Sequence, residues 1–341
     1  MIRTFARFGG ALSFLVLALA LPPSSTAQSQ GTVIKLATLV PDGSIWDLGL
    51  KQMGAEWSQG TQGRVSLRIY PGGVAGDEGD VVRKMRIGQI HAASLTVGGL
   101  SEIDPAFKLF TIPMFFASYP ELRAVIDKLT PMLKQRLEAK GFVLTNWGHG
   151  GWVYVFSKHP VSSVADLRKT KLWVGTDAEM AGLWKSKGYS PVSISATDIM
   201  TGIQSGMLEA IYITPVVAVA LQWFRQTPNM CEQGLAPLVG ATVISKAAWN
   251  KLSEADRKVV QAAGLKLEAK LEREVPRQDT LSVAVMRSRG LRVVPVSAAQ
   301  AKEWRTEAEE FAQEMRGALV PAEVMDLARR ERDAYRARSG K

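Results

Sequence analysis

From residue 31 onward, stretches with the hydrophobic periodicity of a strand alternate with stretches that have the periodicity of a helix. GTVIKLATLV is a β-branched, apolar run of strand length, and residues 65–69 alternate between apolar and polar positions. Between these stretches, Ser44 can cap a helix. The expected apolar face of that helix consists of Ile45, Leu48 and Met53. A helix over residues 77–87 and a strand over residues 92–95 follow. This alternation predicts an α/β fold with a mostly parallel sheet.

The same alternation restarts after about Trp152, which predicts a second α/β unit. The connecting stretch FVLTNWGHGGWVYVFSKHP is long and extended, and three glycines interrupt it. The predicted lobe boundaries are residues 31–152 and 238–280 for lobe I, and residues 153–237 and 281–335 for lobe II. Residues 253–290 have the composition of one long helix, which Pro276 is expected to interrupt.

The first 27 residues have the features of a secretory signal peptide. Arg3 and Arg7 precede the apolar run ALSFLVLALAL, which is too short to span a bilayer well. Ser25 and Ala27 then form a small-residue cleavage site, and no cysteine follows for a lipid anchor. A membrane anchor is the weaker interpretation, because the run is short and this site follows it. We therefore expect an exported, soluble protein of the periplasm.

Composition and charge exclude some classes of protein. The 341 residues are 46% hydrophobic and 22% charged, as in a globular protein with a sizeable core. Loss of the two signal-peptide arginines lowers the formal net charge from +10 to about +8. Basic residues are scattered except in the C-terminal RRERDAYRARSGK, which is typical of a solvated helix, so we expect no nucleic-acid partner. The single cysteine, Cys231, is expected to be a buried small hydrophobe, and a reactive thiol is the alternative.

Motifs for catalysis, metal binding and phosphate binding are missing from the sequence. His91, His149 and His159 lack the spacing of metal ligands. No phosphate-cradling glycine loop occurs, and GHGG at residues 148–151 is not followed by a nucleophile elbow. We expect no enzyme, no cofactor and no metal, although a catalytic group assembled only in the tertiary structure stays open.

Tryptophan is the residue type that favours ligand binding. The chain has nine, and Trp46, Trp147, Trp152 and Trp173 lie at loops or near the ends of predicted strands. Each of them alone is more often part of a core than of a binding site. Ligands of α/β proteins bind at the carboxyl ends of strands and between domains, so the shared position of these indoles favours binding.

Five stretches, in this order, resemble motifs of the periplasmic substrate-binding subunits of tripartite ATP-independent (TRAP) transporters, dicarboxylate-receptor type. They are IKLATLVPDGSIWDLGLKQM, LRIYPGGVAGDEGDVVRKMRIGQIHAASLTVGGL, FTIPMFF, DLRKTKLWV and DIMTGIQSGMLEAIYITP. The resemblance covers roughly residues 31–335. It implies an α/β, two-lobed periplasmic binding protein fold with a long helix spanning both lobes. It also implies a ligand cleft that closes before the receptor docks on the membrane permease.

The largest departure from the family pattern is Trp173 in the segment KLWV. The resemblance implies that members which bind organic acids hold the ligand carboxylate with an arginine at this position. Tryptophan has no charge with which to hold a carboxylate. Arg168 or Lys171 would have to compensate, and the sequence leaves open whether either does.

Two further positions of the family pattern are apolar or aromatic in this chain. A second family arginine has no match in NWGHGGWVYVF, where His149 or Trp152 stands near it. Val216 and Val217 stand where the family often has an asparagine. We therefore expect a ligand that is less anionic and more apolar or aromatic than the usual carboxylates. A cation on the indole faces is the alternative.

The expected role is that of a monomeric solute receptor with a small-molecule ligand and TRAP permease subunits as partners. The expected ligand-binding residues are Trp46, Thr96, Trp147, His149, Trp152, Trp173, Tyr212 and Thr214. A sensory protein that presents its ligand to a signalling partner is the alternative function. A periplasmic enzyme on the same scaffold is a third, and it would need a nucleophile beside His149.

Overall fold

One mixed β-sheet organises residues 31–339, the part of the chain that the computed structural model describes. Its strands are β1 (Thr32–Thr38), β2 (Val65–Tyr70), β3 (Ala92–Thr96), β4 (Phe142–Ser157), β5 (Lys171–Trp173), β6 (Ser190–Val192), β7 (Ala210–Ile213), β8 (Asn229–Ser245) and β9 (Arg292–Val294). The predicted signal peptide, residues 1–27, lies outside the described residues.

The strand order divides this sheet into two lobes. It runs β2-β1-β3-β8-β4-β7-β5-β6, and β9 pairs with β8. Strands β1–β3 of lobe I are parallel to one another, as are strands β5–β7 of lobe II. The two longest strands, β4 and β8, pair antiparallel along most of their length and connect the lobes. This arrangement has the α/β character that the hydrophobic pattern predicts.

Helices cover both faces of the sheet. They are α1 (Ile45–Gly60), α2 (Glu78–Arg86), α3 (Val97–Ile103), α4 (Tyr119–Ala139), α5 (Val164–Arg168), α6 (Ala178–Ser186), α7 (Ile199–Gln204), α8 (Pro215–Ala220), α9 (Lys246–Trp249), α10 (Glu254–Arg287), α11 (Ala298–Met315) and α12 (Ala322–Ser339). Short 3-10 helices cover Pro105–Thr111, Ala196–Asp198 and Trp223–Arg225. Ser44 caps α1, as predicted, because its side chain accepts a hydrogen bond from Asp47 N.

The apolar residues of helix α1 divide into a buried face and an exposed face. Trp46, Leu50, Met53 and Trp57 are buried, whereas Leu48 is 56% exposed. The expectation that Leu48 shares the core face is therefore wrong. At 100° per residue, position 48 is about 200° around the helix from positions 46 and 50, which places it on the solvent side.

The long helix α10 is continuous over 34 residues, so the predicted interruption at Pro276 is wrong. Proline removes one hydrogen-bond donor and crowds the preceding turn. Contacts on both sides of Pro276 hold the helix in place. Val275 is fully buried in the same apolar cluster as Trp46, and Asp279 accepts hydrogen bonds from two other elements. Met286, near the carboxyl end of α10, lies in the core of lobe II, so the helix spans both lobes.

The two C-terminal helices pack on different lobes. Trp304 of α11 donates a hydrogen bond from Nε1 to Ser162 O, just before α5. Arg336 of α12 binds both carboxylate oxygens of Glu121 in α4. Helix α12 thus packs against α4. The predicted lobe boundaries stay a prediction. Within residues 31–339, no helix combines the length and apolar character that crossing a membrane requires.

Candidate functional site

The carboxyl ends of the parallel strands in the two lobes face each other. Asp77, after β2, accepts hydrogen bonds at Oδ2 from Ser195 Oγ (2.7 Å) and Ala196 N (3.3 Å), after β6. Gly73 approaches Thr197 so closely that a Cβ at residue 73 would lie 3.0 Å from Thr197 Cγ2. The lobes are therefore in contact across a cleft at the strand ends, where ligands of α/β proteins bind.

A buried lysine makes another polar contact between the lobes. Lys108 lies in the 3-10 helix of lobe I, and its side chain is 7% exposed. Its Nζ lies 2.7 Å from Asp177 Oδ2 and 2.8 Å from Glu179 Oε2 in lobe II. Burial acts to lower the pKa of Lys108, but the hydrogen bonds to both carboxylates outweigh it, and the pKa is raised. Lys108 is therefore charged and already paired.

Trp173 and Tyr212 form an aromatic pair at the carboxyl ends of β5 and β7. Their ring centroids are 5.4 Å apart, with 37° between the ring planes. Trp173 Nε1 donates a hydrogen bond to Ile194 O at 2.9 Å. The indole packs against the apolar cluster of lobe II and stays partly exposed. Burial, with a smaller contribution from Asp177, raises the pKa of Tyr212, so its hydroxyl is neutral.

The two cations close to Trp173 in sequence bind other parts of the molecule. Arg168 Nη2 lies 2.9 Å from Glu307 Oε2 of α11, and its guanidinium covers the ring of Tyr189. Lys171 Nζ donates to Gly206 O at 3.2 Å. Both side chains are therefore held by other residues of lobe II.

His149 and Trp152 pack around Tyr119, the first residue of α4, and Trp46 binds the backbone of His149. Trp46 Nε1 donates to His149 O at 2.7 Å. The Tyr119 ring centroid lies 4.5 Å from that of His149 and 5.2 Å from that of Trp152. Burial lowers the pKa of His149 to about 4. At neutral pH this imidazole is uncharged, so it does not supply the positive charge that an arginine would.

The other three predicted ligand-binding residues lie in separate places. Trp147 is 7% exposed in the core, and its Nε1 donates to Thr130 Oγ1 at 3.0 Å. Thr96 donates from its backbone N and its Oγ1 to the Glu78 carboxylate, both at 2.6 Å. Thr214 is fully buried, and its Oγ1 has no hydrogen-bond partner among residues 31–339. The structure thus brings together Trp173 with Tyr212, and His149 with Trp152 at Tyr119. Trp46 joins the second group only through the His149 carbonyl.

Comparison with known proteins decides the family. The model of the family "Bacterial extracellular solute-binding protein, family 7" (DctP) matches residues 36–317. The chain belongs to this family. A solute-binding protein from Roseobacter denitrificans is 25% identical, over 76% of this chain and 80% of its own length. The sialic acid-binding periplasmic protein SiaP from Vibrio cholerae is 19% identical, over 79% of this chain and 85% of its own length.

Solved structures share the fold of this DctP-family chain. A TRAP periplasmic solute-binding protein from Polaromonas, bound to D-erythronate, has a TM-score of 0.80 at 21% identity, covering 87% of this chain and 98% of its own. A Bordetella pertussis extracytoplasmic solute receptor that binds pyroglutamic acid has a TM-score of 0.81 at 20% identity, covering 88% and 100%. The predicted two-lobed fold and the resemblance to TRAP receptors are confirmed. The DctP family consists of periplasmic solute receptors, not enzymes.

In this DctP-family chain, α10 is tied to its neighbours by a carboxylate that the sequence analysis missed. Asp279 accepts hydrogen bonds from Trp152 N at 3.0 Å and Val216 N at 3.3 Å. Burial raises the pKa of Asp279 to about 6. Gly151 has a φ of +103°, and a Cβ there would collide with the Asp279 carboxylate. No sequence signal distinguishes this residue, because an aspartate shortly after Pro276 in a helix resembles any solvated one.

A large groove of about 1340 Å³ lies on one face of the crossing strands. Trp152 and Tyr154 line it from β4, and Tyr119 lines it from α4. Side chains alternate along a strand, so Val155 lies on the opposite face of β4. Tyr212 pairs directly with Val155. Tyr212 is therefore on the face of β4 opposite Tyr154, whereas Trp173 packs in the same apolar cluster as Tyr154.

Replacing His149 by phenylalanine should make stability less dependent on pH. The folded-state pKa of His149, about 4, lies below the ordinary value of 6.5. Its contribution to stability is therefore fully present above pH 6.5 and is lost as the pH falls through about 4. The wild type should lose on the order of 1–3 kcal/mol of unfolding free energy from His149 over this pH range. Urea unfolding at several pH values measures this loss. Phenylalanine keeps an aromatic contact with Tyr119 and does not titrate.

The control for this experiment is His159, which is exposed. Replacing it by glutamine removes a histidine from the surface and leaves His149 in place. The contribution of Asp279 to stability has the opposite pH dependence, because its pKa is raised in the folded state. This contribution is present below the ordinary pKa of 3.8 and is lost as the pH rises through about 6. Because the wild type and the His149 variant share Asp279, the difference between them isolates His149. Parallel profiles of the wild type and His149→Phe would contradict the prediction.

Proposed function

We propose that this TRAP receptor binds a neutral or weakly charged solute with an apolar or aromatic surface, and that Trp173 is its main contact. The observation that carries the proposal is the state of Trp173, which stands in place of the family arginine. Its indole N–H is bound to Ile194 O, and its ring lies against Tyr212. What the indole offers a ligand is therefore an aromatic surface and no charge.

The charges near Trp173 support this proposal. Arg168 and Lys171 are bound elsewhere in lobe II, and Lys108 is paired with two carboxylates of the protein. A ligand carboxylate that entered the closed cleft would lose its hydration, and burying a charge without a partner is costly. A neutral ligand avoids this cost.

The polar groups of the proposed site suit a ligand with few hydrogen-bonding groups. Tyr212 offers a neutral hydroxyl, and the buried Thr214 Oγ1 has no partner in the described part of the chain. Thr96 at the end of β3 is already bound to Glu78. We propose Trp173, Tyr212 and Thr214 as ligand contacts, delivery of the ligand to TRAP permease subunits, and a monomeric receptor.

The ligands of the structural neighbours differ from the one proposed here. The neighbours from Polaromonas and Bordetella pertussis bind D-erythronate and pyroglutamic acid, and one from Xanthobacter autotrophicus binds β-D-galacturonate. All three ligands carry a carboxyl group. The proposal therefore assigns this chain a different ligand chemistry on the shared fold.

Native mass spectrometry of gently purified protein tests the proposal, because a retained ligand is identified by its mass. A neutral or weakly charged apolar compound is the expected result. Calorimetric titration with D-erythronate, pyroglutamate and D-galacturonate should show no binding at micromolar concentrations. Micromolar affinity for one of these acids that survives Trp173→Ala would show the proposal to be wrong.

A further inference from the structure

We propose that the large groove on the crossing strands is a second binding site and that its ligand is an organic cation, such as a quaternary ammonium compound. Three aromatic side chains and one buried carboxylate line the groove together: Tyr119, Trp152, Tyr154 and Asp279, called here the cation cage. Neither Trp173 nor Tyr212 lines this groove, so the inference does not rest on the ligand proposed for that pair.

The aromatic rings of the cage provide the first argument. Tyr119 begins α4 and Trp152 belongs to β4, and their ring centroids lie 5.2 Å apart, with 82° between the ring planes. Two rings at this angle form a corner, and Tyr154 of β4 lines the same groove. The face of an aromatic ring attracts a cation, most strongly in tryptophan. Three such rings therefore suit an alkylated ammonium group, whose methyl groups also gain from apolar contact.

The buried carboxylate provides the second argument. Asp279 is 7% exposed, and its oxygens accept hydrogen bonds from Trp152 N at 3.0 Å and Val216 N at 3.3 Å. Both donors are neutral, and no side chain among residues 31–339 forms an ion pair with Asp279. Burial raises the pKa of Asp279 to about 6, so the carboxylate is mostly ionised at neutral pH. A buried negative charge without a cation is costly, and a cationic ligand would remove this cost.

The other charged side chains of the groove do not neutralise Asp279. They are Arg287, Arg305, Arg336, Glu232 and Glu309. Arg336 binds both carboxylate oxygens of Glu121. Arg287 and Arg305 are exposed, so water and salt screen their charges. Burial and hydrogen bonds, not a neighbouring arginine, account for the pKa of Asp279. The buried part of the groove therefore carries a net negative charge.

Choline and its neutral isostere 3,3-dimethylbutan-1-ol test the inference, because a quaternary carbon replaces the quaternary nitrogen and the shape is kept. Isothermal titration calorimetry of the purified protein measures both dissociation constants. Choline should bind with a Kd of about 1 mM or below, and the isostere at least about tenfold more weakly. Equal binding of the two compounds, or no binding of choline, would overturn the inference.

Variants at two positions of the cage separate its charge from its aromatic surface. Asp279→Asn removes the charge and keeps an oxygen that accepts a hydrogen bond, so the Kd for choline should rise about tenfold or more. Tyr154→Leu should raise the Kd about fivefold, because leucine has no aromatic face, whereas Tyr154→Phe should stay within about threefold of the wild type. Urea unfolding shows whether each variant folds. The comparison of Tyr154→Leu with Tyr154→Phe decides the matter even if Asp279→Asn is unstable.

Asp127→Asn is the matched control, because it removes the same charge outside the groove. The side chain of Asp127 lies on α4 and is 55% exposed. Its loss should leave the Kd for choline within about twofold of the wild-type value. If choline binds Asp279→Asn and Tyr154→Leu as tightly as the wild type, it binds elsewhere and the inference is wrong. These titrations use choline alone, so they are decided separately from the ligand proposed at Trp173.

Discussion

Replacing Trp173 by alanine should weaken binding of the retained ligand by about 30- to 1000-fold. This corresponds to the roughly 2–4 kcal/mol that truncation of a central aromatic residue costs in a binding site. The substitution removes the ring that lies 5.4 Å from Tyr212 and leaves no aromatic surface at the end of β5. Isothermal titration calorimetry with the compound identified by mass spectrometry measures the change in Kd.

Two further variants separate binding from folding. Trp173→Phe keeps an aromatic ring but loses the hydrogen bond to Ile194 O, so it should bind more tightly than the alanine variant. Trp249, which packs against lobe I and stacks with Arg257, is the matched control. Trp249→Ala should leave the Kd within about threefold of the wild-type value. Equal Kd values for Trp173→Ala and the wild type would refute the assignment of Trp173 to the site.

Replacing Glu268 by alanine should lower the free energy of unfolding by about 2–4 kcal/mol. Glu268 is 8% exposed on α10. Its Oε2 accepts a hydrogen bond from Trp147 N at 2.8 Å, and its Oε1 binds Arg123 at 2.8 Å. Truncation leaves the buried N–H of Trp147 without its partner and breaks the ion pair, and both changes carry a cost. Urea denaturation measures the loss.

Glu272, one turn later on α10, provides the control for Glu268. It contacts the same Arg123 at 3.4 Å, but its side chain is 44% exposed. Because exposed ion pairs contribute little, Glu272→Ala should cost less than about 0.5 kcal/mol. A similar loss in both variants would mean that the charge near Arg123 matters and the hydrogen bond to β4 does not.

Two of the carboxylates of α10 explain how one helix contacts both lobes. Glu268 binds β4 at Trp147, within lobe I, and Asp279 binds β4 at Trp152, where the chain enters lobe II. Asp279 also binds Val216 N at the start of α8. The helix is therefore attached to the crossing strand at two points, on either side of the glycine-rich segment 148–151. Movement of the lobes must act on this segment and on these attachments.

The sequence by itself determined the order of the elements, the α/β class and the family. Hydrophobic periodicity and helix caps are local properties, so the strand from residue 32 and the cap at Ser44 were readable without tertiary contacts. The five family motifs were also local, and the match over residues 36–317 confirms the family that they indicate. The predicted departure at Trp173 rests on the same local comparison.

Only the tertiary structure decided what each aromatic and charged side chain does. Burial stabilises an indole equally in a core and in a binding site, so no pattern separated Trp147, which lies in the core, from Trp173, which stays partly exposed. The partners of charged residues lie far away in the sequence: Lys108 binds Glu179, 71 positions later. Continuity of α10 through Pro276 likewise depends on contacts with distant residues. These outcomes follow from which surfaces meet when the chain folds, and local sequence carries no record of them.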